Sequence, residues 1–399
     1  METAILDWAN LVIRWTHVIV GIAWIGTSFL FMWLDAHLEK PEPGKKGIEG
    51  ELWMVHSGGF YEVNKYLVAP AAIPRTLHWF KWEAGFTGIT GVMLLAIVYY
   101  LGAESYLIEA GSGSLSRLQA VGIGIATLVV GWFAYDALFA SRAGAENPLP
   151  ANVLSIVVLV AVAIALTQIF TGRAAYMHVG ALIGIVMVIN VFVRIIPAQS
   201  KLIAARLAGE EPDPLLGRQA KQRSVHNNYL TLPVVFIMIS SHYPMTFGHS
   251  LNWLLLIAIS LSGALVRHWF NLRNAGRSQP WPLAAAVFPF LGAAIIASWP
   301  ALERGSTENA TQRVAFSEVR QIINERCLSC HAAEPRHENF DAAPKDVRFN
   351  TAAEILSHVE AIRITTVETD TMPLGNETGM TPEERRLLGL WIRHGAATQ

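Results

Sequence analysis

Long apolar stretches, separated by short polar segments, dominate the first 300 residues of the chain. Eight of them are long enough, or nearly so, to cross a hydrocarbon layer of roughly 30 Å as helices of about 20 residues. They lie near residues 9–34, 83–101, 118–140, 151–171, 175–196, 229–243, 251–270 and 281–300. The sixth is the weakest, because it is short and carries Pro233 near its start. The first exceeds the apolar region of a signal peptide and lacks a basic flank, so we interpret it as a true span.

Basic residues are distributed unevenly among the loops between these segments. If the N-terminus lies outside the cytoplasm, the cytoplasmic loops hold 16 Lys and Arg and the opposite loops hold two, Arg117 and Arg173. The cytoplasmic loops are then 35–82, 141–150, 194–228 and 267–280. Because loops rich in Lys and Arg stay in the cytoplasm, the sequence predicts eight spans with both termini outside it.

Beyond the eighth segment the pattern changes to that of a small soluble domain. Helices are predicted near 313–326 and 351–363. A third begins at Thr381, where Thr-Pro-Glu-Glu combines an N-cap, a proline at the first helical position and a capping-box glutamate. The sequence therefore predicts an all-α protein. Its parts are an eight-helix transmembrane domain, a polar linker and a C-terminal domain, over 1–303, 304–312 and 313–399.

Composition and charge support this division. Over the whole chain 52% of residues are hydrophobic, 15% are charged and the mean hydropathy is +0.36, whereas about a quarter of a soluble domain is charged. The net charge of −1 excludes a general electrostatic affinity for nucleic acid. From residue 304 onward the charge is −3, which leaves +2 for the rest. The two cysteines lie in this second part, three residues apart, so a disulfide scaffold is excluded.

The run Cys327-Leu328-Ser329-Cys330-His331 has the pattern of c-type haem attachment. Two thiols one helical turn apart reach the two vinyl groups of a haem, and the adjacent imidazole is delivered to one axial face of the iron. The alternatives are a redox dithiol and half a zinc site. A zinc site needs another pair of ligands, and the chain has no other cysteine; a redox dithiol is expected in a βαβ context. We therefore predict one covalent haem c, with His331 bound to its iron.

A second iron ligand, Met372, is predicted in the loop Met372–Asn376, which Gly and Pro keep nonhelical. Ligation by His and Met leaves no open coordination position, as suits an electron carrier. The rival ligands are Met380, His337, His358 and His394. We also expect the carbonyl of Pro335 to accept a hydrogen bond from the other ring nitrogen of His331. Over its whole length this C-terminal part resembles a small class I cytochrome c.

Several ionisable and polar residues lie in or near the predicted spans. Such groups are costly inside a membrane and mark candidate sites, although those near span ends can simply meet water. The histidines toward the outer side are His17, His178, His242 and His249, and those toward the cytoplasmic side are His56, His78, His226 and His268. Other polar groups, mostly expected at the interface, are Arg14, Asp35, Asp136, Asn190 and Arg267.

The chain as a whole resembles the bacterial membrane-bound urate oxidase (urate hydroxylase) family, in which an eight-span domain is fused to a C-terminal cytochrome c. The resemblance rests on Arg14–His17, Gly21–Phe29, His56–Tyr61, His78–Glu83, His226–Pro233, Ser241–Pro244, Arg267–Asn271 and Met372–Asn376. It implies oxidation of urate to 5-hydroxyisourate in the bacterial inner membrane, with the cytochrome in the periplasm. Electrons would pass to haem c and then to an acceptor of the respiratory chain. Composition and spacing do not themselves identify this substrate.

For such a reaction the candidate catalytic residues are His78, Lys81, Glu83, His226 and Arg267. Cations, amides and aromatic faces would bind a planar, weakly acidic purine, and an imidazole or carboxylate would take a proton as water adds to the ring. Further candidates for binding are Arg75, Asn227 and Asn228. Two alternatives stay open: a membrane electron-transfer or quinol-linked protein without urate chemistry, and a cytochrome-anchored transporter.

Electron transfer across the membrane raises a question of distance. Urate oxidised at the cytoplasmic side would leave its electrons roughly 30 Å from a periplasmic haem c, too far for one efficient tunnelling step. We hypothesise at least one non-covalent haem b among the spans, with His17 and His242 as outer ligands and His78 and His268 as inner ligands. A urate site near the periplasmic face would need no such relay.

Overall fold

The computed structural model describes residues 2–43, 45, 47–66, 73–74, 76–108, 115–141, 144, 147–307, 314–338 and 340–398. Within these residues, seven helices are long and apolar enough to cross a membrane. They are Ile5–His37, Trp82–Tyr100, Arg117–Ala140, Pro148–Ile169, Gly172–Leu207, Asn252–Asn274 and Trp281–Trp299. The protein is therefore mostly helical, and seven of the eight predicted segments coincide with a helix of this kind.

We call the N-terminal part the membrane part, because its apolar helices could cross a membrane; it contains the helices α1 to α11. They are α1 (Glu2–His37), α2 (Trp82–Leu95), α3 (Ala103–Tyr106), α4 (Arg117–Ala140), α5 (Pro148–Ile169), α6 (Gly172–Ile189), α7 (Ile196–Leu207), α8 (Pro214–Ser240), α9 (Pro244–Phe247), α10 (Asn252–Asn274) and α11 (Trp281–Thr307). A π-helical segment, Ala96–Tyr100, extends α2, and a second one, Asn190–Ile195, joins α6 to α7. Such segments have a wider turn than an α-helix and are common at functional sites.

Helix α8 is the long helix outside the seven, and it contains most of the weakest predicted segment, 229–243. Its first half is polar, which lowers its hydropathy, but three of these polar residues, Arg223, Asn227 and Asn228, are buried. The helix packs against α6 and α10. Packing against neighbouring helices therefore compensates for the polar sequence.

Between α1 and α2 the chain forms an antiparallel β-hairpin, β1 (Ile48–His56) and β2 (Gly59–Tyr66). The expectation of an all-α fold is wrong for this segment. Ser57 and Gly58 form the two-residue turn with φ of 50° and 78°, and such a turn matches the right-handed twist of paired strands. Apolar side chains near its tip are exposed, which weakens the alternation that marks a strand. They are Trp53, Val55 and Phe60.

Contacts between helix ends define two ends of the bundle. At one end, Asp35 of α1 forms an ion pair with Lys221 of α8. At the other end, the Tyr176 hydroxyl near the start of α6 donates to the carbonyl of Asn252 at the start of α10, at 2.6 Å. We call these the inner end and the outer end. The segments rich in Lys and Arg contribute to the inner end.

The C-terminal domain is helical and has a core of its own. Its helices are α12 (Phe316–Arg326), α13 (Leu328–His331), α14 (Ala352–Ser357), α15 (Val359–Ile362) and α16 (Pro382–Arg393). The rings of Phe316 and Trp391, whose centroids lie 5.8 Å apart, join the first of these helices to the last. The capping box predicted at Thr381 and Glu384 is confirmed.

The predicted boundaries of this domain differ from the observed helices in two places. The second predicted helix, near 351–363, is divided into α14 and α15 at His358. Helix α11 continues to Thr307, into the segment predicted as a linker. The rest of that linker and the start of the first predicted helix, 308–313, lie outside the described residues.

Candidate functional site

The Cys-x-x-Cys-His motif follows α12 directly and forms the single turn α13. The amides of Cys330 and His331 donate to the carbonyl of Cys327 at 3.3 and 2.9 Å, so both thiols belong to one turn. Both cysteines are free thiols. Two thioether bonds to a single macrocycle need this spacing.

A backbone carbonyl orients the imidazole of His331. Its Nδ1 donates to the carbonyl of Val347 at 2.8 Å, an arrangement that fixes the ring of a metal-binding histidine and leaves Nε2 for the metal. The expectation that Pro335 supplies this carbonyl is wrong. The segment around Val347 lies beside the motif, because the amide of Phe349 donates to the carbonyl of His331 at 2.9 Å. This hydrogen bond brings the carbonyl of Val347 to the imidazole ring.

The environment of the two thiols bears on the three interpretations of the motif, and the haem c stays a prediction. Burial raises the pKa of Cys327 to about 12 and also raises that of Cys330. A redox-active dithiol has the opposite property, a lowered thiol pKa. Among the described residues, no group of three His, Cys, Asp or Glu side chains could hold a metal ion. The thiol spacing and the oriented imidazole fit a covalently attached haem.

Two methionines lie near the loop predicted to supply the second iron ligand. Met372 is half-buried; its amide donates to the carbonyl of Thr365 at 2.8 Å, and its carbonyl accepts from Arg385 at 2.6 Å. Met380 is 3% exposed and belongs to the core of the domain. Neither contact pattern tests ligation, so Met372 stays a prediction and Met380 stays its rival.

Two of the three rival histidines have other partners. His337 pairs with Glu377 at 2.7 Å. His358 and His394 stand at the C-terminal ends of α14 and α16, where an imidazole can hydrogen-bond helix carbonyls. His358 does so, with its Nδ1 3.0 Å from the carbonyl of Glu354.

In the membrane part, a buried ion cluster centres on Asp136 of α4. Asp136 is 8% exposed and accepts hydrogen bonds from Arg194 Nε at 2.7 Å and from Arg223 Nη2 at 3.1 Å. The guanidinium of Arg223 also lies 4.9 Å from the centre of the Tyr135 ring. Two other segments thus place cations beside Asp136: Arg223, which is buried, and Arg194, which is partly exposed.

A chain of hydrogen bonds connects Tyr135 of this region to a predicted catalytic histidine. The hydroxyl of Tyr135 lies 2.7 Å from His226 Nδ1. The side-chain amide of Asn190 donates to that hydroxyl at 3.1 Å and to Asn227 Oδ1 at 3.0 Å. Asn190 is fully buried. It begins the second π-helical segment, which places it in this network.

A second buried cluster centres on Asn228, the next residue of α8; we call it the Asn228 cluster (Asn228, Arg267, Asn271 and Phe29). Asn228 Oδ1 accepts from Arg267 Nε at 3.1 Å and from Asn271 Nδ2 at 2.9 Å. Arg267 is 4% exposed, and its guanidinium carbon lies 3.8 Å from the centre of the Phe29 ring.

Three polar atoms of this cluster are buried and have no hydrogen-bond partner within the described part of the chain. They are Arg267 Nη2, Asn228 Nδ2 and Asn271 Oδ1. Buried polar groups are nearly always paired, and these two donors and one acceptor belong to side chains already joined to one another. The Asn228 cluster therefore offers two donors and one acceptor that a polar ligand or a buried water would satisfy.

The five predicted catalytic residues lie in separate places. His226 and Arg267 belong to the two networks just described. His78 is exposed before α2, and Lys81 is the N-cap of α2, with its ammonium 5.6 Å from the Trp82 ring centre. Glu83, in the first turn of α2, has one carboxylate oxygen that is buried without a partner among the described residues. In that part of the chain no hydrogen bond or ion pair joins His78, Lys81 and Glu83 to the other two. The binding candidate Arg75 lies outside it.

The histidines proposed to bind a haem b have the following positions. His17 Nδ1 lies 2.9 Å from the Thr90 hydroxyl of α2, and His242 is exposed just after α8. His268 Nδ1 lies 2.6 Å from the Tyr229 hydroxyl, while His78 is exposed. The haem b hypothesis stays a prediction.

Sequence reasoning missed Tyr135, Arg194 and Arg223 as members of a functional region. One signal was present: a carboxylate inside an apolar span needs a cation, and both arginines lie in the segments flanking other spans. Nothing in the sequence indicates which arginines pair with Asp136, because that depends on the packing of α4 against α6 and α8.

A cavity of about 800 Å³ lies beside this region. His226 and Tyr135 line one part of it, and most of the remaining lining is apolar. Examples from α5 and α10 are Leu159, Ala163 and Leu261. An apolar lining favours an apolar or amphipathic molecule over a polar anion, so the cavity and the Asn228 cluster suit different ligands.

Comparison with known proteins identifies the membrane part. A family model described as urate oxidase N-terminal matches residues 3–298. The match includes every residue of the Asp136 and Asn228 clusters and ends before the C-terminal domain. No curated protein and no solved structure matches the chain. Because the family model spans most of its length, the chain belongs to the urate oxidase N-terminal family.

Proposed function

We propose that this protein is a membrane-bound oxidoreductase that oxidises urate to 5-hydroxyisourate and passes the electrons to a haem c in its own C-terminal domain. Family membership over residues 3–298 supports a urate-related oxidation. The observation that carries the proposal is the Asn228 cluster, whose buried donors and acceptor have no partners among the described residues.

The chemistry of urate matches this cluster. Urate is planar and weakly acidic, and its edges alternate carbonyl oxygens with N–H groups. Arg267 Nη2 and Asn228 Nδ2 would donate to carbonyl oxygens, and Asn271 Oδ1 would accept from an N–H group. A hydrogen bond to an ionised partner is roughly twice as strong as a neutral one, so Arg267 favours the urate anion.

Oxidation to 5-hydroxyisourate removes two electrons from urate, adds the oxygen of water at C5 and releases protons. A base must accept a proton, and we propose Glu83 or His226 for this role. Glu83 has a buried carboxylate oxygen without a partner among the described residues. His226, bonded to Tyr135, lines the apolar cavity, so it would act as the base only if urate also reaches that cavity. Substitution of the true base, as Glu83→Gln or His226→Gln, should lower kcat by roughly 10²–10⁴-fold. His78→Gln and Lys81→Gln, at the other two candidates, should change kcat less, because neither residue is buried.

The C-terminal domain would receive the electrons. Cys327 and Cys330 would hold a haem by thioether bonds, with His331 and Met372 on its iron. When bound, the haem would supply a one-electron acceptor without an open coordination position, so it would take the two electrons one at a time and pass each to an external acceptor. The carbonyl of Val347 keeps the His331 ring in one orientation.

We further propose that the membrane part has eight spans, with α8 as the eighth, and that both termini lie in the periplasm. Helix α8 has 27 residues, about 40 Å at 1.5 Å per residue. It runs from Lys221 near the inner end to Ser240 near the outer end. The basic loops lie at the inner end, as the positive-inside rule requires of a cytoplasmic side. A reporter fused after Gln399 should be active only in a periplasmic form, and one within 201–222 only in a cytoplasmic form. A cytoplasmic C-terminus would contradict both the span number and the haem c.

The function is tested with purified membranes that contain the full chain. Urate should reduce the haem c absorption band, and Arg267→Gln should abolish this while ascorbate still reduces the haem. Reduction by quinol but not by urate would favour the alternative of a quinol-linked electron carrier. Reduction by neither would favour the transporter and contradict our proposal.

A haem b in the membrane part is tested separately. We expect stoichiometric haem that acid acetone extracts from the purified protein, besides the covalent haem. Full urate activity with covalent haem alone would contradict the haem b and place the urate site near the periplasmic face.

A further inference from the structure

The C-terminal domain contacts the membrane part at two places on the outer end. In the first, Gly375, within the predicted iron-ligand loop, lies against α3: a Cβ at this position would be 3.3 Å from the carbonyl oxygens of Ser105 and Ile108. In the second, a Cβ at Gly248 would collide with the carbonyl oxygen of Thr369 and lie 2.8 Å from the methyl carbon of Thr371. At both places the two backbones meet without a side chain between them.

We call the surface that contacts the domain the outer platform (α3, α9 and Gly248). Hydrogen bonds from residues at and near the start of α6 hold it in place. Thr171, at the start of α6, donates from its amide to the carbonyl of Leu107 at 3.1 Å and from its hydroxyl to that of Tyr106 at 2.8 Å. The hydroxyl of Tyr176 bonds the carbonyl of Thr246 in α9 at 3.2 Å. Both parts of the outer platform are therefore anchored to α6 and form one preformed surface.

Gly248 allows this contact because it has no side chain. Its backbone conformation, with φ of −86°, is open to any residue, so glycine is not required by its own turn. The three atoms nearest to a Cβ at this position all belong to Thr369 and Thr371 of the C-terminal domain. Close approach of that domain is thus the steric reason for a glycine here.

We propose that the C-terminal domain docks on the outer platform during electron transfer. In this position the Met372 loop lies against the membrane part, where electrons would enter the domain. This inference rests on the proposed function for its electron-transfer role, but the docking itself does not. A fixed position shortens the distance that electrons must cross from the membrane part to the domain, and loss of that position lengthens it.

The test uses the full-length protein and two measurements. Gly248→Leu should force the domain off the outer platform, and Gly248→Ala should do so in part. Hydrogen exchange should then accelerate at amides of residues 104–108 and 363–371, which become more solvent-exposed or mobile. Reduction of the haem by urate should slow, while ascorbate should reduce it fully. Gly122→Leu is the matched control, because a Cβ there meets nothing within 4 Å.

The outcomes separate this inference from the proposed function. Unchanged exchange in Gly248→Leu would overturn the docking surface. Accelerated exchange with a normal rate of reduction by urate would overturn its role in electron entry and leave the proposed function intact. If urate does not reduce the haem in the unmodified protein, the proposed function fails, and accelerated exchange in Gly248→Leu alone would still support the docking surface.

Discussion

The two candidate sites differ in how the chain assembles them. In the C-terminal domain, the residues predicted to attach a haem occupy five consecutive positions, Cys327–His331, and one turn of helix sets their spacing. In the membrane part, the Asn228 cluster takes residues from three helices that are far apart in sequence, with Phe29 in α1, Asn228 in α8 and Arg267 in α10. Local backbone geometry is enough for the first site, whereas the second exists only when the helices pack together.

This difference predicts how each site responds to substitution. A local site loses its ligand when a ligating atom is removed, while the fold around it survives. A site made by packing contains buried polar groups that pair with one another. Removal of one member then affects stability as well as binding, because its former partners stay buried.

The largest effect is expected from the local site. In Cys327→Ala/Cys330→Ala, covalent haem should disappear completely, because both thioether sulfurs are absent; each single variant should lower it. Haem staining after denaturing electrophoresis measures this. Ser329→Ala, in the same turn, should retain the covalent haem. Covalent haem in the double variant would contradict the attachment site.

The second prediction separates the two methionines. Met372→Ala should remove the long-wavelength charge-transfer band of a ferric, Met-ligated haem, while the haem stays attached. Met380→Ala should keep the band but destabilise the domain by roughly 2–5 kcal/mol, since Met380 lies in the core. The opposite result, with the band lost only in Met380→Ala, would assign the iron ligand to Met380.

The third prediction compares two aspartates with similar partners but different burial. Asp136 and Asp35 each form ion pairs with two cations, and their side chains are 11% and 30% exposed. Asp136→Asn should destabilise the protein by about 3–5 kcal/mol, because it leaves the buried guanidinium of Arg223 without a counter-charge. Asp35→Asn should cost less than about 1 kcal/mol, as is usual for partly exposed ion pairs. Denaturant unfolding of the protein in detergent measures both, and equal effects would contradict the structural importance of the Asp136 cluster.

The smallest effect concerns pH. Burial acts to raise the pKa of Glu384, but hydrogen bonds from the Thr381 amide and from Arg326 outweigh it, so this pKa is lower than usual. A lowered folded-state pKa stabilises the domain above the unfolded value, and this contribution is lost as the pH falls through the folded value. Glu384→Gln should therefore cost about 1 kcal/mol at neutral pH and weaken the acid dependence of unfolding, followed by the haem absorption. Glu383→Gln, at the exposed neighbouring position, should change this dependence less.

The sequence predicts those features that depend on neighbouring residues. Apolar runs locate the seven apolar helices because hydropathy is a local property, and Thr381 with Glu384 locates the start of α16 for the same reason. The hairpin at Ser57 and Gly58 was missed because its strands are too exposed for a clear alternation. The partner of His331 was assigned wrongly because it depends on where the chain returns, at Val347.

The membrane site could be predicted only in part. Arg267 and His226 were identified as candidates, and both lie in buried networks. The sequence cannot predict that three atoms of the Asn228 cluster lack a hydrogen-bond partner, because this depends on which neighbouring side chains the packed helices bring near them. The same holds for Asp136, whose position in an apolar helix gives no sign of the two arginines that reach it.

The π-helical segment Asn190–Ile195 sets the angle at which the residues after it leave α6. Each residue of an α-helix turns the chain by about 100°, and a π-turn holds an extra residue, so this segment changes the angular phase of everything that follows it. If the same sequence formed a regular α-helix, Arg194 would lie at a different angle around the helix axis, away from Asp136. The ion pair therefore depends on the π-turn, and loss of that turn would remove it even with every side chain of the site unchanged.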